Sequence, residues 1–407
     1  MSVPSHNLYD FVHQATEKRY WLLTFHPWGN KEFTGLNDYQ HDCPHGINGP
    51  NGIPSELRVI DQLLPNNSLK LPYLSQVAQF QPVLLCNDQE PLYFDHYQGS
   101  LLDDVQPNLN LRSRIPTSWQ KKWILLHSEV NSHELNNYEQ TGQYVGAYWW
   151  SHAIIALDWY RYAQHDTSLC HGNFDKLFLI YARDSTGTRQ YRAEFLSMIN
   201  DLSTACQIGS VNGEPATANH SAVYDSGDFN HTAFSIVLET LFDDQRIQLT
   251  EKILRPIACG HPFILAAGAG SLQLLKRYGF ETFSPWVNEA YDSITNSKDR
   301  LTAIVDEMRR ISKLPLDQQQ TIVDQCRVIA QRNQKRFFSA DFFNTITAEL
   351  KENVAQAWEK CQGQFGPDFY LQTICWRRKN CPGWFTEDKR ENLRLNLQLA
   401  RRLRSST

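Results

Sequence analysis

Residues Phe234–Phe280 read FSIVLETLFDDQRIQLTEKILRPIACGHPFILAAGAGSLQLLKRYGF, and the order of elements in this stretch decides the fold. Phe234–Leu238 is an apolar, β-rich run that stops at Glu239. Between Leu249 and Cys259, the apolar residues Ile253, Leu254, Ile257 and Ala258 recur at helical spacing. Pro262–Ala267 reads as a second buried strand. It runs into Gly268, Gly270 and Ser271, and a helix follows over Leu272–Tyr278. This alternation of strand, loop and helix predicts parallel strands joined by crossover helices. In such sheets ligands bind at the carboxyl ends of the strands. The polar residues gather there, with Glu239 closing one strand and Thr250, Glu251 and Lys252 opening the next helix.

That corner suits a nucleoside diphosphate. A helix N-terminus offers free N–H groups and a partial positive charge. Thr250 can cap it, Lys252 adds a full charge, and Glu251 or Glu239 could accept hydrogen bonds from ribose hydroxyls. The plain alternative is ordinary capping by Thr-Glu, with the lysine in solvent.

The segment LET…LTEKILRPIACGHPFILAAG resembles the donor-binding region of the bacterial and animal fucosyltransferases. There a strand ends in an acidic residue, a T-E-K helix start follows, and a second strand runs into a glycine. The resemblance covers roughly 45 of the 407 residues. It implies the GT-B fold, two Rossmann-like domains facing each other across a cleft. It also implies that Glu251 and Lys252 contact the ribose and phosphates of a sugar nucleotide, a GDP-sugar being one candidate donor. Glu239 matches the acidic strand end. Thr240 and Leu241 stand where the family has Asn-Ser, so the resemblance leaves the donor sugar open. The pieces Tyr278–Phe283 (YGFETF) and Glu289–Asp292 (EAYD) are similar to uncharacterised glycosyltransferase-like proteins of bacteria and phages.

The remainder of the chain extends the pattern on both sides. Tyr20–Phe25, Gln81–Cys86 and Trp123–Leu126 read as strands, and Tyr144–Tyr162 reads as an aromatic strand or helix start leading into a helix. Residues 1–165 therefore read as a first Rossmann-like domain, on the acceptor side. Lys176–Ala182 opens a second, over 166–312, in which the loop after Arg183 carries Arg189 and Arg192 into a helix. The fucosyltransferases hold the pyrophosphate with an arginine after a strand of this domain, and Arg183 or Arg192 is the candidate here. After Pro285 the chain turns helical, with helices over Trp286–Ile294, Lys298–Ile311, 317–334 and 341–362, and 313–407 forms a C-terminal extension. Its tail, Asp388–Arg404, is basic and amphipathic, suited to packing back on the first domain or to contact with a membrane surface.

A base to deprotonate an acceptor hydroxyl would come from the first domain. Glu90 and Glu129, at strand ends, lead. Asp88, His127, His152 and Glu32 (in the polar loop 27–54) are alternatives, and a retaining mechanism would need no such base. The net charge of −5 argues against general nucleic-acid binding. The first twenty residues lack an apolar run after a basic start, and no long apolar stretch occurs anywhere. The nine cysteines then read as reduced thiols, and a cytoplasmic location is expected. Neither His41–Cys43–His45 nor Cys375 and Cys381 completes a four-ligand set, so no metal or other cofactor is expected. The sequence thus points to an inverting, metal-independent glycosyltransferase acting on a saccharide or glycan acceptor. The alternatives are another sugar-nucleotide enzyme on this scaffold, or a nucleotide- or glycan-binding protein without catalysis, for instance phage-encoded.

Overall fold

The computed structural model describes residues 123–140, 144–170, 172–209, 221 and 223–360, with the short pieces 11–12, 15–16, 20–25, 81–87 and 91–92. The loop 27–54, Glu90 and the basic tail 388–404 lie outside these residues. The described chain is a mixed α/β structure with two four-stranded sheets, each parallel throughout, followed by a helical stretch.

The first sheet holds β1 (Tyr20–Phe25), β2 (Gln81–Asn87), β3 (Trp123–His127) and β4 (Tyr144–Tyr148), in spatial order 1-2-3-4. The helix α1 (His133–Gln140) crosses from β3 to β4, and β4 has a glycine beneath it. A Cβ on Gly146 would lie 2.7 Å from the Leu135 side chain. After β4, Trp149 and Trp150 lead into α2 (Ser151–Trp159). Every residue of α2 up to Asp158 is buried. An apolar helix with no wet face belongs inside a protein, and α2 packs against helices from elsewhere in the chain.

The second sheet holds β5 (Lys176–Ile180), β6 (Cys206–Ile208), β7 (Thr232–Leu238) and β8 (Phe263–Ala266), in spatial order 6-5-7-8. The helices α3 (Tyr191–Met198), α4 (Ser226–Asn230) and α5 (Glu251–Ala258) lie between successive strands, and α6 (Ser271–Arg277) follows β8. β7 is buried along its whole length, as expected of a central strand covered on both faces. The chain leaves β5 in one direction to reach β6 and returns past it to β7. The strand order therefore reverses between β5 and β7, which is where ligands bind in open parallel sheets.

The helical stretch comprises α7 (Ser297–Ser312), α8 (Leu316–Phe337) and α9 (Ala340–Lys360). The helix expected over Trp286–Ile294 shrinks to one 3-10 turn at Ala290–Ser293. The next helix starts where Asn296 caps the N–H groups of Lys298 and Asp299. α8 lies on α5, whereas α9 returns to the first sheet and lies on β4. Arg300 of α7 is 1% exposed and donates to the carbonyls of Ala267, Ile294, Thr295 and Asp243, fixing the end of β8 to the loop after β7.

The loops at the carboxyl ends of β3 and β7 are joined directly. Val130 and Ile247 exchange backbone hydrogen bonds of 2.8 and 3.0 Å. Trp150 Nε1 donates to the Leu249 carbonyl at 2.8 Å, and Gln248 donates to Ser128. The segment 243–250 is thus fixed from both sides before it enters α5. Gly268, at the end of β8, lets this segment approach closely. A Cβ there would stand 2.2 Å from the Arg246 carbonyl oxygen, so only glycine fits.

Candidate functional site

A cavity opens at the reversal between β5 and β7. It takes in about 840 Å³ of space, the open solvent at its mouth included. Its walls are the ends of β5 and β7, the start of α3 and one face of α5. Among the described residues, five cationic side chains line it, Arg183, Arg189, Arg192, Lys252 and Arg255, and no carboxylate does.

Each cation is placed by a different local device. Arg183 is exposed, just past the end of β5. Arg189 pairs with Asp184 at 3.3 Å. The Asp184 carboxyl lies below its ordinary range because the backbone and side chain of Thr186 donate to it, with Arg189 adding to this. Arg192 is 4% exposed and spans the strand ends. It donates to the carbonyls of Asp184 (2.9 Å), Leu238 (2.8 Å) and Glu239 (3.0 Å). Lys252, in the first turn of α5, pairs with Glu251 at 2.7 Å. Arg255 follows one turn later on the same face of α5, as three-residue spacing requires.

The three polar residues next to Lys252 hold the helix start and stand outside the cavity wall. Thr250 is the N-cap of α5, its hydroxyl accepting from the Lys252 N–H at 3.3 Å. The same hydroxyl donates to Glu239 at 2.5 Å, and the Thr250 N–H donates to the other Glu239 oxygen at 3.0 Å. Glu239 is fully buried, and burial pushes its carboxyl above the ordinary range against the pull of Lys252 and Thr250. The expected ribose contact falls on a carboxylate whose two oxygens both accept from Thr250. Through Thr250 it holds the helix start from which Lys252 projects. Burial also works against ionisation of Glu251, yet Lys252 and His152 hold its carboxyl down at about 2. It is 6% exposed and serves as the lysine's counter-ion.

Glu129, the expected acceptor base, lies away from the cavity. Its side chain has no exposed surface. One oxygen accepts from the Leu92 N–H at 2.6 Å and the other from the Ser132 hydroxyl. Arg246 stands 3.6 Å away and also donates to the Leu92 carbonyl. Burial raises the Glu129 carboxyl to about 7 despite Arg246. A base must reach the acceptor hydroxyl, and Glu129 is instead closed inside the joint between the two sheets. His127 is buried too, and desolvation lowers its imidazole to about 4.

Of the residues expected from sequence, Arg183, Arg192 and Lys252 come together on one cavity. Thr250, Glu251 and Glu239 stand behind Lys252, Glu129 lies in the joint, and Glu90 falls outside the described residues. Arg255 escaped the sequence reading. Its position three residues after Lys252 was the available signal. Among the described residues no cluster of His, Cys, Asp and Glu could hold a metal ion, and no helix is long and apolar enough to cross a membrane. No known family model, curated protein or solved structure matches the chain.

Proposed function

We propose that the chain is a glycosyltransferase of GT-B type, moving a sugar from a nucleoside diphosphate donor to a saccharide or glycan acceptor. In this reading residues 1–165 and 166–312 are its two Rossmann-like domains. The observation that carries the reading is the cavity at the β5–β7 reversal, whose described walls hold five cations and no carboxylate. Such a wall binds polyanions, and its charge is held in place before any ligand arrives. Arg183, Arg192 and Lys252 hold the diphosphate and stabilise the negative charge that accumulates as the sugar leaves. These groups supply that charge balance from the chain itself, aided by the N-terminus of α5.

One observation favours a second reading. Among the described residues no carboxylate lines the cavity and Glu129 is enclosed, so a protein that binds a nucleotide without transferring a sugar would have the same walls. A thermal-shift screen with GDP, UDP, ADP, dTDP and CMP tests the site, because ligands of the native state raise its melting temperature. Stabilisation by one diphosphate, lost in Lys252→Ala, is expected, with CMP weaker. Donor turnover by the same protein then separates transfer from binding alone. A screen with no stabilisation by any nucleotide removes the proposal.

A further inference from the structure

The cavity extends beyond the strand ends. It descends along the face of the sheet to Ser235 and Phe229, beneath Arg255 of α5. Arg255 is 6% exposed. Its guanidinium carbon stands 4.8 Å from the centre of the Tyr181 ring, and the Tyr160 hydroxyl lies nearby. Its Nε reaches no acceptor, and no described carboxylate forms an ion pair with it. The nearby acids are committed elsewhere. Glu251 pairs with Lys252, and Asp228 accepts from Tyr181 and Gln207. Arg255 therefore shares the field of Glu251 with Lys252 and has no described carboxylate in contact of its own, an arrangement that leaves room for a further anion. Arg192 is in a similar condition at the strand ends, buried, with its Nε unpaired and its terminal nitrogens donating to backbone carbonyls. Two such arginines on different walls of one cavity mark two positions for negative charge.

We propose that Arg255, with Tyr160 and Tyr181 around it, forms a second oxyanion subsite, so that the cavity takes a ligand with two separated anionic groups, phosphate or carboxylate. Arg192 and Lys252 hold one group near the strand ends, and Arg255 holds the other deeper along the sheet. The subsite stands on the geometry of the cavity, and only the nature of the ligand rests on the glycosyltransferase reading.

Inorganic phosphate is titrated into the full chain by calorimetry, and tungstate is located in its crystals as a heavier stand-in. Two anions in the cavity are expected, one at Arg192 and one at Arg255. Arg255→Met loses the second alone and weakens nucleoside diphosphate or sugar-nucleotide binding by about tenfold or more, the loss of a charge-assisted contact. Arg255→Lys restores part of it. A single anion in the wild type, or two that survive Arg255→Met, overturns the subsite. The wild-type count decides this even if the methionine variant does not fold. Two phosphates without any nucleotide binding would end the transferase reading and leave the subsite standing. Nucleotide binding that needs Lys252 but ignores Arg255 would do the reverse. Donors bearing a neutral sugar and a uronic acid separate the two sources. If Arg255→Met weakens both, the diphosphate reaches Arg255, and if it weakens only the acidic donor, the sugar carboxylate does.

Discussion

Glu129→Gln separates a structural carboxylate from a catalytic one. The Glu129 carboxyl is fully enclosed and its affinity for a proton is raised by burial, from the ordinary 4.5 to about 7. It therefore binds its proton more tightly in the folded chain than in the unfolded one. Its contribution to stability is complete below about pH 4.5 and is lost as the pH rises through about 7. At ~1.4 kcal/mol for each tenfold in proton affinity, the loss is about 3 kcal/mol. Glutamine has the same shape and does not titrate. Its amide oxygen can accept from Leu92 and its NH2 can donate to Ser132, while Arg246 keeps its pair with Asp243 at 3.0 Å. His127 acts in the opposite sense. Its lowered imidazole favours the folded chain as the pH rises between about 4 and 6.5, so the wild-type curve alone is ambiguous. The difference between wild type and variant isolates Glu129. Denaturant unfolding at about pH 5 and about pH 8 should show the wild type losing about 3 kcal/mol relative to Glu129→Gln. Nucleotide affinity and any transferase turnover should be unchanged. Parallel stability curves would refute the burial argument, and a collapse of turnover with the fold intact would return Glu129 to the active site.

Three further substitutions test the frame around the cavity. Thr250→Ala removes the α5 cap and the hydroxyl bond to Glu239 and should cost about 1–2 kcal/mol of stability, read by denaturant unfolding. Arg192→Met leaves three carbonyls at the strand ends without their donor. It should destabilise the chain by about 2 kcal/mol and also weaken diphosphate binding by calorimetry, whereas Thr250→Ala should affect affinity less. Gly268→Ala forces a methyl against the Arg246 carbonyl and should cost about 1–3 kcal/mol, with proteolysis increasing first in the 243–250 segment.

Much of the second sheet was legible because its signals are local. Apolar runs bounded by polar residues located β5, β7 and β8, and Thr250 before an amphipathic stretch located α5. The elements that escaped give weak local signals. β6 is three residues long, α4 is five, and α1 has only Tyr138 buried, so none carries a periodic stripe. The site was legible in position and less so in roles. Sequence places Glu239 and Glu129 at strand ends, where carboxylates often face ligands. Whether they do depends on partners far along the chain, and those partners are Thr250 for one and Leu92 and Arg246 for the other. Arg255 was missed for a similar reason. Its burial against Tyr160 and Tyr181 comes from the approach of α2 and β5, which helical periodicity does not encode.

The inward turn of those carboxylates bears on selectivity. Glu239 and Glu129 are each held off the cavity by hydrogen bonds that also fix the segment entering α5. Acids that faced the cavity would neutralise its arginines and let water and neutral ligands compete. Buried in the frame, they position the helix start while the walls stay cationic. Arg192 and Arg255 then each keep a buried, unpaired Nε–H beside a frame fixed on both sides. A ligand that supplies oxyanions at both positions gains contacts without reorganising the chain, and a neutral ligand of the same size leaves two buried guanidiniums without counter-charge. Raising the salt concentration should therefore weaken binding at exposed Arg183 before it weakens binding at the two buried arginines, since screening acts first on exposed charge. Nucleoside diphosphate titrations of Arg183→Gln and Arg192→Met across salt would show a flatter salt dependence only in the first variant, and equal slopes would mean that the buried pair does not bear the ligand's charge.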